Sequence, residues 1–242
     1  MKKILMIFLV IVLSACANKT QENNKEEKEV VTKKVVEETP PRVESAEIES
    51  NGSFEGRITY EIIMQTKGDA KKYAPMKKVF GDTLIITFSK GRYAMQYPDG
   101  RVEYIKYLRD NHQYRKMIYL DTLYFTNTRI ENSTLYSSLK EDTDFEVLGR
   151  KLNMVSIVSS KFKKYYYYDP SIYMNPEYFK KHKLGYDNKY YELAKSPFLY
   201  AEIVYDNLKV IFKPIKIEKM EIPESFFKLP DLYTKADEMM GK

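Results

Sequence analysis

The chain has 242 residues, of which 43% are hydrophobic, 14% aromatic and 31% charged, and its formal net charge is +6 at pH 7. It has one cysteine, Cys16, which excludes a disulfide within the chain and a zinc site built on several cysteines. Its 22 tyrosines all lie after residue 59, and this enrichment favours a body rich in β-strands.

The first predicted element is a leader peptide. Two lysines precede the apolar run at residues 4–13, which is too short to span a bilayer core of about 30 Å and is typical of a secretory signal peptide. Leu13-Ser14-Ala15-Cys16 follows it and resembles the lipobox of bacterial lipoproteins. That resemblance implies cleavage before Cys16 and attachment of diacylglycerol and a further acyl chain, such as palmitate, to Cys16. We therefore predict a signal peptide at residues 1–15, lipidation of Cys16 and anchoring to a membrane.

Residues 17–50 are predicted to be a disordered spacer. They hold six basic and nine acidic residues, no aromatic residue and the pair Pro40-Pro41. Such a composition does not supply enough apolar area to offset the entropy lost on ordering the chain. Together with Cys16 they form a lipidated tether at residues 16–50, with a typical reach of roughly 30 Å. Residues 51–242 remain as a single β-rich domain.

The domain is predicted to begin with a long strand. Positions from Phe54 to Met64 alternate between apolar and polar side chains, which indicates a strand with one buried face. Residues 66–78 are interpreted as a loop. Alternation, together with turn signals such as Pro98-Asp99-Gly100, then predicts strands at residues 83–88, 92–97, 102–108, 114–119 and 123–128.

The second half of the domain is predicted to contain further strands and two helices. Strands are expected at residues 153–159, 161–168, 198–205, 209–214 and 215–222. Between them, one helix is predicted to start at the N-cap Asn175 and to stop before Gly185, and another to start at Asp187 and to end before Ser196. The predicted fold class is mainly β (α+β), a curved antiparallel sheet or open β-barrel of about 9–11 strands with one or two short helices packed in or on it.

Motifs of catalysis and of metal binding are missing from the sequence. His112 and His182 lie seventy residues apart, there is no G-x-S-x-G segment, and Asp142-Thr143-Asp144 lacks the rest of an EF-hand loop. We therefore predict no catalytic residue, no metal ligand and no cofactor, and we do not expect an enzyme.

The segment Lys163-Lys164-Tyr165-Tyr166-Tyr167-Tyr168 allows two interpretations. Aromatic rings flanked by basic residues can stack on nucleic acid bases or on sugars. A central strand covered on both faces would instead hold the same rings against its neighbours. Nucleic acid is not an expected partner of a protein in the cell envelope.

Taken together, these features resemble lipoproteins of unknown function from Bacteroidota-type bacteria whose domain is similar to the periplasmic lipoprotein-carrier (Lol-type) half-barrel. The matching residues open and close the domain, at Phe54, Gly56, Ile58, Tyr60, Ile222, Pro223, Ser225, Phe227, Leu229 and Pro230. The resemblance implies a strongly curved sheet wrapped over helices, here residues 174–195, and an apolar cavity that accepts acyl chains. Soluble carriers of that family are not lipidated, whereas its outer-membrane receptor is, and this favours an anchored acceptor or sensor over a shuttle.

The function that follows is a non-enzymatic, membrane-anchored lipoprotein that binds an apolar or amphipathic, lipid-like ligand in its curved sheet. The residues expected to line the ligand are Phe54, Ile58, Tyr60, Ile62, Leu84, Ile86, Phe88, Tyr93 and Met95. A plain core would use the same residues, so the alternative is a structural or protein-interaction lipoprotein of the cell envelope with a filled barrel. Ala17, not Asp, follows Cys16, and the sorting rule of other Gram-negative bacteria then implies the outer membrane, facing the periplasm. The expected partners are the membrane, a lipid or hydrophobic ligand, and an envelope protein.

Overall fold

The computed structural model of the chain describes residues 52–68, 70–230 and 234–237, which belong to one compact unit, Glu49–Lys242. The predicted signal peptide, the lipidation site Cys16 and the tether lie outside the described residues. Among the described residues, no helix has both the length and the apolar character needed to cross a membrane.

The domain is built mainly from strands. The described strands are β1 (Gly56–Thr66), β2 (Thr83–Ser89), β3 (Arg92–Gln96), β4 (Val102–Tyr107), β5 (His112–Met117), β6 (Thr122–Asn127), β7 (Leu135–Glu141), β8 (Glu146–Val147), β9 (Arg150–Lys151), β10 (Asn153–Ser159), β11 (Lys163–Tyr168), β12 (Tyr200–Val204), β13 (Leu208–Lys219) and β14 (Thr234–Asp237). The described α-helices are α1 (Ala74–Phe80) and α2 (Asp187–Ala194). Short 3₁₀ segments lie at Ala70–Lys72, Pro176–Phe179, Leu184–Tyr186 and Glu224–Phe227.

Twelve strands form one sheet in the order β14-β6-β5-β4-β3-β2-β1-β13-β12-β11-β10-β7, and β8 pairs with β9 in a separate hairpin. Neighbouring strands are antiparallel, except that β14 runs parallel to β6. The sheet is curved and is not closed into a barrel, so the predicted fold class is confirmed.

The sheet is larger than expected because the sequence analysis assigned neither of its edge strands. β7 and β14 each need only one neighbour, and LYSSLKE and TKAD show little of the alternation that marks a half-buried strand. In the opposite direction, the two strands predicted at 209–214 and 215–222 are one strand, β13. Its register against β1 shifts between Thr59 and Tyr60, so that Ile215 forms a bulge and the pairing continues past it.

The connection from β6 to β7 shows how strongly the sheet curves. These strands are consecutive in the chain but lie ten strand spacings apart in the sheet, which is about 48 Å in a flat sheet. The crossing loop, residues 128–134, joins them and can extend to at most about 29 Å. The sheet must therefore bend until its two ends approach each other, and the crossing loop bridges its open side.

The alternation predicted for β1 and β2 is present in the structure. Ile58 and Tyr60 are fully buried, whereas Glu61 between Tyr60 and Ile62 is exposed. The register places Ile58 opposite Ile86 and Tyr60 opposite Leu84, so the buried side chains of both strands share one face of the sheet. This is the concave face, because residues 169–199 pack against it and contact strands from β3 to β11.

The prediction of a loop at residues 66–78 was wrong in part, because the segment contains a 3₁₀ turn and most of α1. Pro75 stands in the first turn of α1, where a missing amide donor costs nothing, and Val79 is buried. The helix is held at its end by Arg101, whose backbone amide donates to the Val79 carbonyl at 2.8 Å, and by the Phe80 ring, 5.1 Å from the Tyr97 ring. Residues 71–78 of the sequence contain four lysines, and for that reason the pattern did not indicate a helix with a buried side.

The two predicted helices have different outcomes. Asn175 does cap a helical turn, since its side chain accepts from the Glu177 amide at 3.0 Å, but the turn is a 3₁₀ segment that ends at Phe179. The chain then makes a second 3₁₀ segment across Gly185. The helix predicted from Asp187 is confirmed as α2, Asp187–Ala194.

The face opposite the concave one is partly covered by the hook, residues 222–230. Ile222 and Phe227 are buried against Ala94 of β3. Lys106 of β4 is only 9% exposed, and its ammonium group donates to the backbone carbonyls of Phe226 at 2.7 Å and Lys228 at 3.1 Å. These bonds satisfy the buried charge and fix the hook to the sheet.

Candidate functional site

The concave face is occupied by the protein's own chain. Residues 169–199, here called the internal segment, connect β11 to β12 and run across this face. Tyr60 of β1 donates to the Phe198 carbonyl at 2.7 Å, and the Tyr166 ring of β11 lies 4.6 Å from the Tyr190 ring. The internal segment therefore contacts both β1 and β11, which lie three places apart in the sheet.

An aromatic stack forms the centre of this filling. The rings of Phe179 and Tyr191 are parallel within 14°, and their centroids are 3.7 Å apart. Tyr93 of β3 and Tyr107 of β4 stack on the Phe179 ring at 6.4 and 6.0 Å. Each such pair contributes about 0.5–1.5 kcal/mol beyond the burial of its area, so the stack fixes the internal segment firmly on the sheet.

The nine residues predicted to line a ligand all lie at this face or at its margin. Eight of them are buried, and Met95 is half-buried. Phe88 contacts Phe54 and Tyr93 through their rings, at 6.1 and 6.5 Å. Tyr60 contacts Phe198 of the internal segment. The structure thus brings these residues together and covers them with side chains of the same domain.

A chain of buried polar groups borders the aromatic stack. The Gln113 side-chain amide donates to the Tyr93 hydroxyl at 2.7 Å, and that hydroxyl lies 2.9 Å from Nε2 of His182. Because the Tyr93 oxygen accepts the hydrogen bond from Gln113, its O–H group can donate a hydrogen bond to Nε2. Nε2 of neutral His182 is then the acceptor, and the ring proton lies on Nδ1. Nδ1 lies 3.6 Å from an Asp187 carboxylate oxygen, which is too far for a hydrogen bond, so Nδ1 is buried without a hydrogen-bond partner.

Burial sets the ionisation of this polar chain. His182 is 1% exposed, and burial lowers its pKa below 6.5, although the Asp187 carboxylate opposes the shift. Burial also raises the pKa of Tyr93 well above 10, and Asp187 adds to that effect. Both groups are therefore neutral at pH 7. Lys164 lies 3.6 Å from Asp187 and donates to the Gly185 carbonyl, which provides the carboxylate with a cation.

The internal segment meets the crossing loop beside this polar chain. The backbone amides of Lys183 and Leu184 both donate to the Thr128 carbonyl, at 2.7 and 3.0 Å, and the Tyr186 hydroxyl donates to the Ser133 carbonyl. In this part of the described chain, several buried side-chain atoms have no hydrogen-bond partner, and they belong to Thr128, Asn132, Ser133, His182 and Asn188. An unpaired buried polar group costs about 1–3 kcal/mol, so these groups lower the stability of the junction.

The sequence did not indicate that His182 belongs to a polar chain. Its partner Tyr93 lies on β3, 89 residues away in the chain, and Gln113, which bonds to Tyr93, lies on β5. No local spacing encodes such a contact, since the curvature of the sheet creates it. The one available signal was a histidine in a segment rich in buried aromatic residues.

The four consecutive tyrosines form the central strand that one of the two interpretations expected. β11 lies between β10 and β12, and Tyr166 and Tyr168 are buried on the concave side. On the opposite side, the Tyr167 ring lies 4.6 Å from Phe145 and 5.5 Å from Tyr200. The Tyr166 and Tyr167 rings therefore contact other parts of the domain, and Tyr168 is fully buried.

In the described ranges, no group of three or more His, Cys, Asp or Glu side chains is arranged to hold a metal ion. The polar chain itself has one histidine and one carboxylate, with Tyr93 and Gln113 as its remaining members. This arrangement provides a buried hydrogen-bonded pair of neutral side chains, Tyr93 and His182, with Gln113 and Asp187 at its two ends.

Comparison with known proteins finds similar solved structures and no matching family. No family model matches the sequence, and no curated protein matches it at a significant level. Two solved structures of PNGF-II, in the space groups P21 and C2, are similar to the chain with TM-scores of 0.43 and 0.42 and sequence identities of 11% and 12%. The matched regions cover 76% of this chain and 32% of each PNGF-II chain, so the chain spans about a third of the length of these structures.

Proposed function

We propose that this protein is a lipid-anchored component of the bacterial cell envelope that acts without catalysis, through its outer surface, as a structural or protein-interaction module. The observation that carries the proposal is the filling of the concave face by the internal segment. Phe179 and Tyr191, whose rings stack at 3.7 Å, lie where a Lol-type carrier would hold acyl chains.

The second candidate function is the binding of a lipid-like ligand on the concave face. The residues expected to line the ligand favour this function because they are mainly apolar and share one face of the sheet. An acyl chain placed at the position of the aromatic stack would have to displace Phe179 or Tyr191, both of which are nearly fully buried. Burying such a side chain contributes about 1.5–3 kcal/mol, and a ligand would have to exceed the loss of several of them. The packing therefore supports the filled form better.

A catalytic role for the polar chain is not supported by its geometry. Tyr93 is 6% exposed and His182 is 1% exposed, so a substrate cannot reach either group without displacement of the internal segment. A general base has to come within hydrogen-bond distance of the proton that it abstracts. We propose that the chain Gln113–Tyr93–His182 is structural and orients the internal segment on β3.

The anchoring part of the proposal rests on the lipobox-like Leu13-Ser14-Ala15-Cys16. It is tested by expressing the full chain in a Gram-negative host and measuring the mass of the N-terminal peptide from washed membranes. We expect a peptide that begins at Cys16 and carries acyl chains, and a Cys16→Ser variant that leaves the membrane fraction. Asn18→Ala, two residues further on, is the matched control and should keep the acyl chains. An unmodified Cys16 in a released protein would overturn the anchoring proposal.

A further inference from the structure

The two edges of the large sheet differ in how their edge strands are covered. The edge at β6 is covered by β14, which pairs with it in parallel from Thr234 to Asp237. The edge at β7 pairs with β10 on its inner side, and none of the described strands pairs with its outer side. The outer side of β7 therefore presents backbone donors and acceptors that can pair with another strand.

The side chains of β7 do not protect this edge. Leu139 is 54% exposed and Tyr136 is 67% exposed, and the charged residues of the strand are Lys140 and Glu141 at its end. Edge strands in natural proteins are usually blunted by charge, by proline or by a bulge. β7 has a bulge, but the bulge lies at Tyr136, where the register against β10 shifts, and the five residues Ser137–Glu141 continue in regular pairing.

The regular part of β7 is complementary to itself. In an antiparallel pair of two copies with the two-fold axis at Leu139, each Lys140 lies opposite Ser138 and each Glu141 lies opposite Ser137. The two Leu139 side chains then meet directly, and no two like charges lie opposite each other. Cross-strand apolar pairs of this kind stabilise an antiparallel sheet, and a two-fold interface requires such self-complementarity.

We propose that two copies of this protein associate through β7, in antiparallel register with Leu139 on the two-fold axis, so that two curved sheets join into one. The inference rests on the proposed function in one respect, because lipid anchoring would confine the copies to one surface and raise their effective concentration. The pairing itself follows from the edge and its sequence.

The register gives a sharp test, because Leu139 would face its own copy at a Cα separation of about 4.5–5.5 Å, within the range that a disulfide bridges. Single cysteines are introduced by Ser137→Cys, Ser138→Cys, Leu139→Cys and Lys140→Cys into the full chain. Membranes from each variant are oxidised mildly and examined on non-reducing gels. We expect the largest dimer fraction for Leu139→Cys, at least about tenfold above the Ser138→Cys variant, whose cysteines would lie on a diagonal.

Tyr119→Cys is the matched control for random collision, since Tyr119 is 86% exposed at the turn between β5 and β6. A Leu139→Cys dimer no more abundant than the Tyr119→Cys dimer would overturn the proposal. A maximum at another position of β7 would overturn the stated register. The unaltered chain, whose one cysteine is Cys16, separates this result from the anchoring proposal. Dimers of the unaltered chain would reveal a free Cys16 thiol and count against lipidation, whereas the excess for Leu139→Cys would still measure the pairing through β7.

Discussion

The Tyr93 hydroxyl lies 2.9 Å from Nε2 of His182, and both side chains are buried. This contact joins β3 to the internal segment. It lies beside the aromatic stack, and it is a contact between polar groups. With the Tyr93 hydroxyl donating to Nε2, the proton of neutral His182 lies on Nδ1.

Replacing Tyr93 by Phe keeps the ring stack and removes the hydroxyl. The change leaves Nε2 of His182 and the side-chain amide of Gln113 without their partner, and an unsatisfied buried group costs about 1–3 kcal/mol. We expect the free energy of unfolding, measured in urea, to fall by that amount. Tyr119→Phe, at an exposed turn, is the control and should change it by less than about 0.5 kcal/mol. Equal effects of the two variants would contradict the structural role of the polar chain.

The stability of the domain should fall as the pH drops below 6.5. Burial lowers the pKa of His182 in the folded state, whereas the unfolded chain keeps a pKa near 6.5 and therefore binds more protons below that pH. The loss begins near pH 6.5 and continues down to the lower folded-state pKa. Urea unfolding at several pH values between 7.5 and 5 measures it.

His182→Gln keeps a polar side chain and removes the titration. We expect this variant to be less stable at pH 7.5 but to show a flatter dependence on pH across the same interval. His112→Gln is the matched control, because His112 is only half-buried, on β5, outside the polar chain. A pH profile that remains unchanged in His182→Gln would contradict the assignment.

Gly91 should tolerate no side chain. It follows β2 at a φ of +76°, and a Cβ placed on it would lie 2.3–2.6 Å from atoms of the Tyr178 side chain. Gly149 has a similar φ of +68° with open space around it, so Gly149→Ala measures the backbone strain alone, about 1–2 kcal/mol. We expect Gly91→Ala to lower the free energy of unfolding by at least about 1–3 kcal/mol more than Gly149→Ala does. Similar losses would show that Tyr178 can move aside, and that the internal segment is loosely packed there.

The hook should loosen in acid through Glu224. Ion pairs with Arg92 at 2.6 Å and with Lys90 at 3.0 Å lower the pKa of Glu224 to about 2. Their contribution is present above the unfolded-state pKa of 4.5 and is lost as the pH falls from 4.5 towards 2. Since the Glu224 side chain is 58% exposed, we expect Glu224→Gln to cost less than about 1 kcal/mol at pH 7.

Hydrogen exchange of the amides at residues 222–230 would locate this effect. We expect faster exchange in Glu224→Gln at pH 7 than in the unaltered chain, and no difference at the concave face. Glu221→Gln is the control, because Glu221 is exposed next to the hook. Faster exchange in both variants would contradict a specific role for the Glu224 ion pairs.

Much of the sheet could be predicted because alternation reports burial directly. The first six strands were expected within a few residues of their bounds, since each has one face on the core. α1 was missed because residues 71–78 of the sequence contain four lysines, whereas Val79 is the one buried residue of the helix. β7 was missed because it is an edge strand with an exposed Leu139 and no buried face. Its sequence therefore does not alternate between apolar and polar residues.

The candidate site was harder to predict than the fold. The residues expected to line a ligand were found on one face, yet only the structure shows that Phe179 and Tyr191 cover that face. Sequence periodicity tells which side chains are buried but does not tell what buries them. The polar chain from Gln113 to His182 is still less predictable, because its members come from β3, β5 and the internal segment and meet through the curvature of the sheet.

Native mass spectrometry of residues 51–242, purified without detergent and then incubated with a bacterial lipid extract, tests the central claim that the concave face is filled by the protein itself. The account predicts the bare mass of one or two copies of the chain, with no added lipid before or after incubation. A lipid or fatty acid that accompanies the folded protein and leaves it on denaturation would contradict the account. It would show that the internal segment gives way to a ligand.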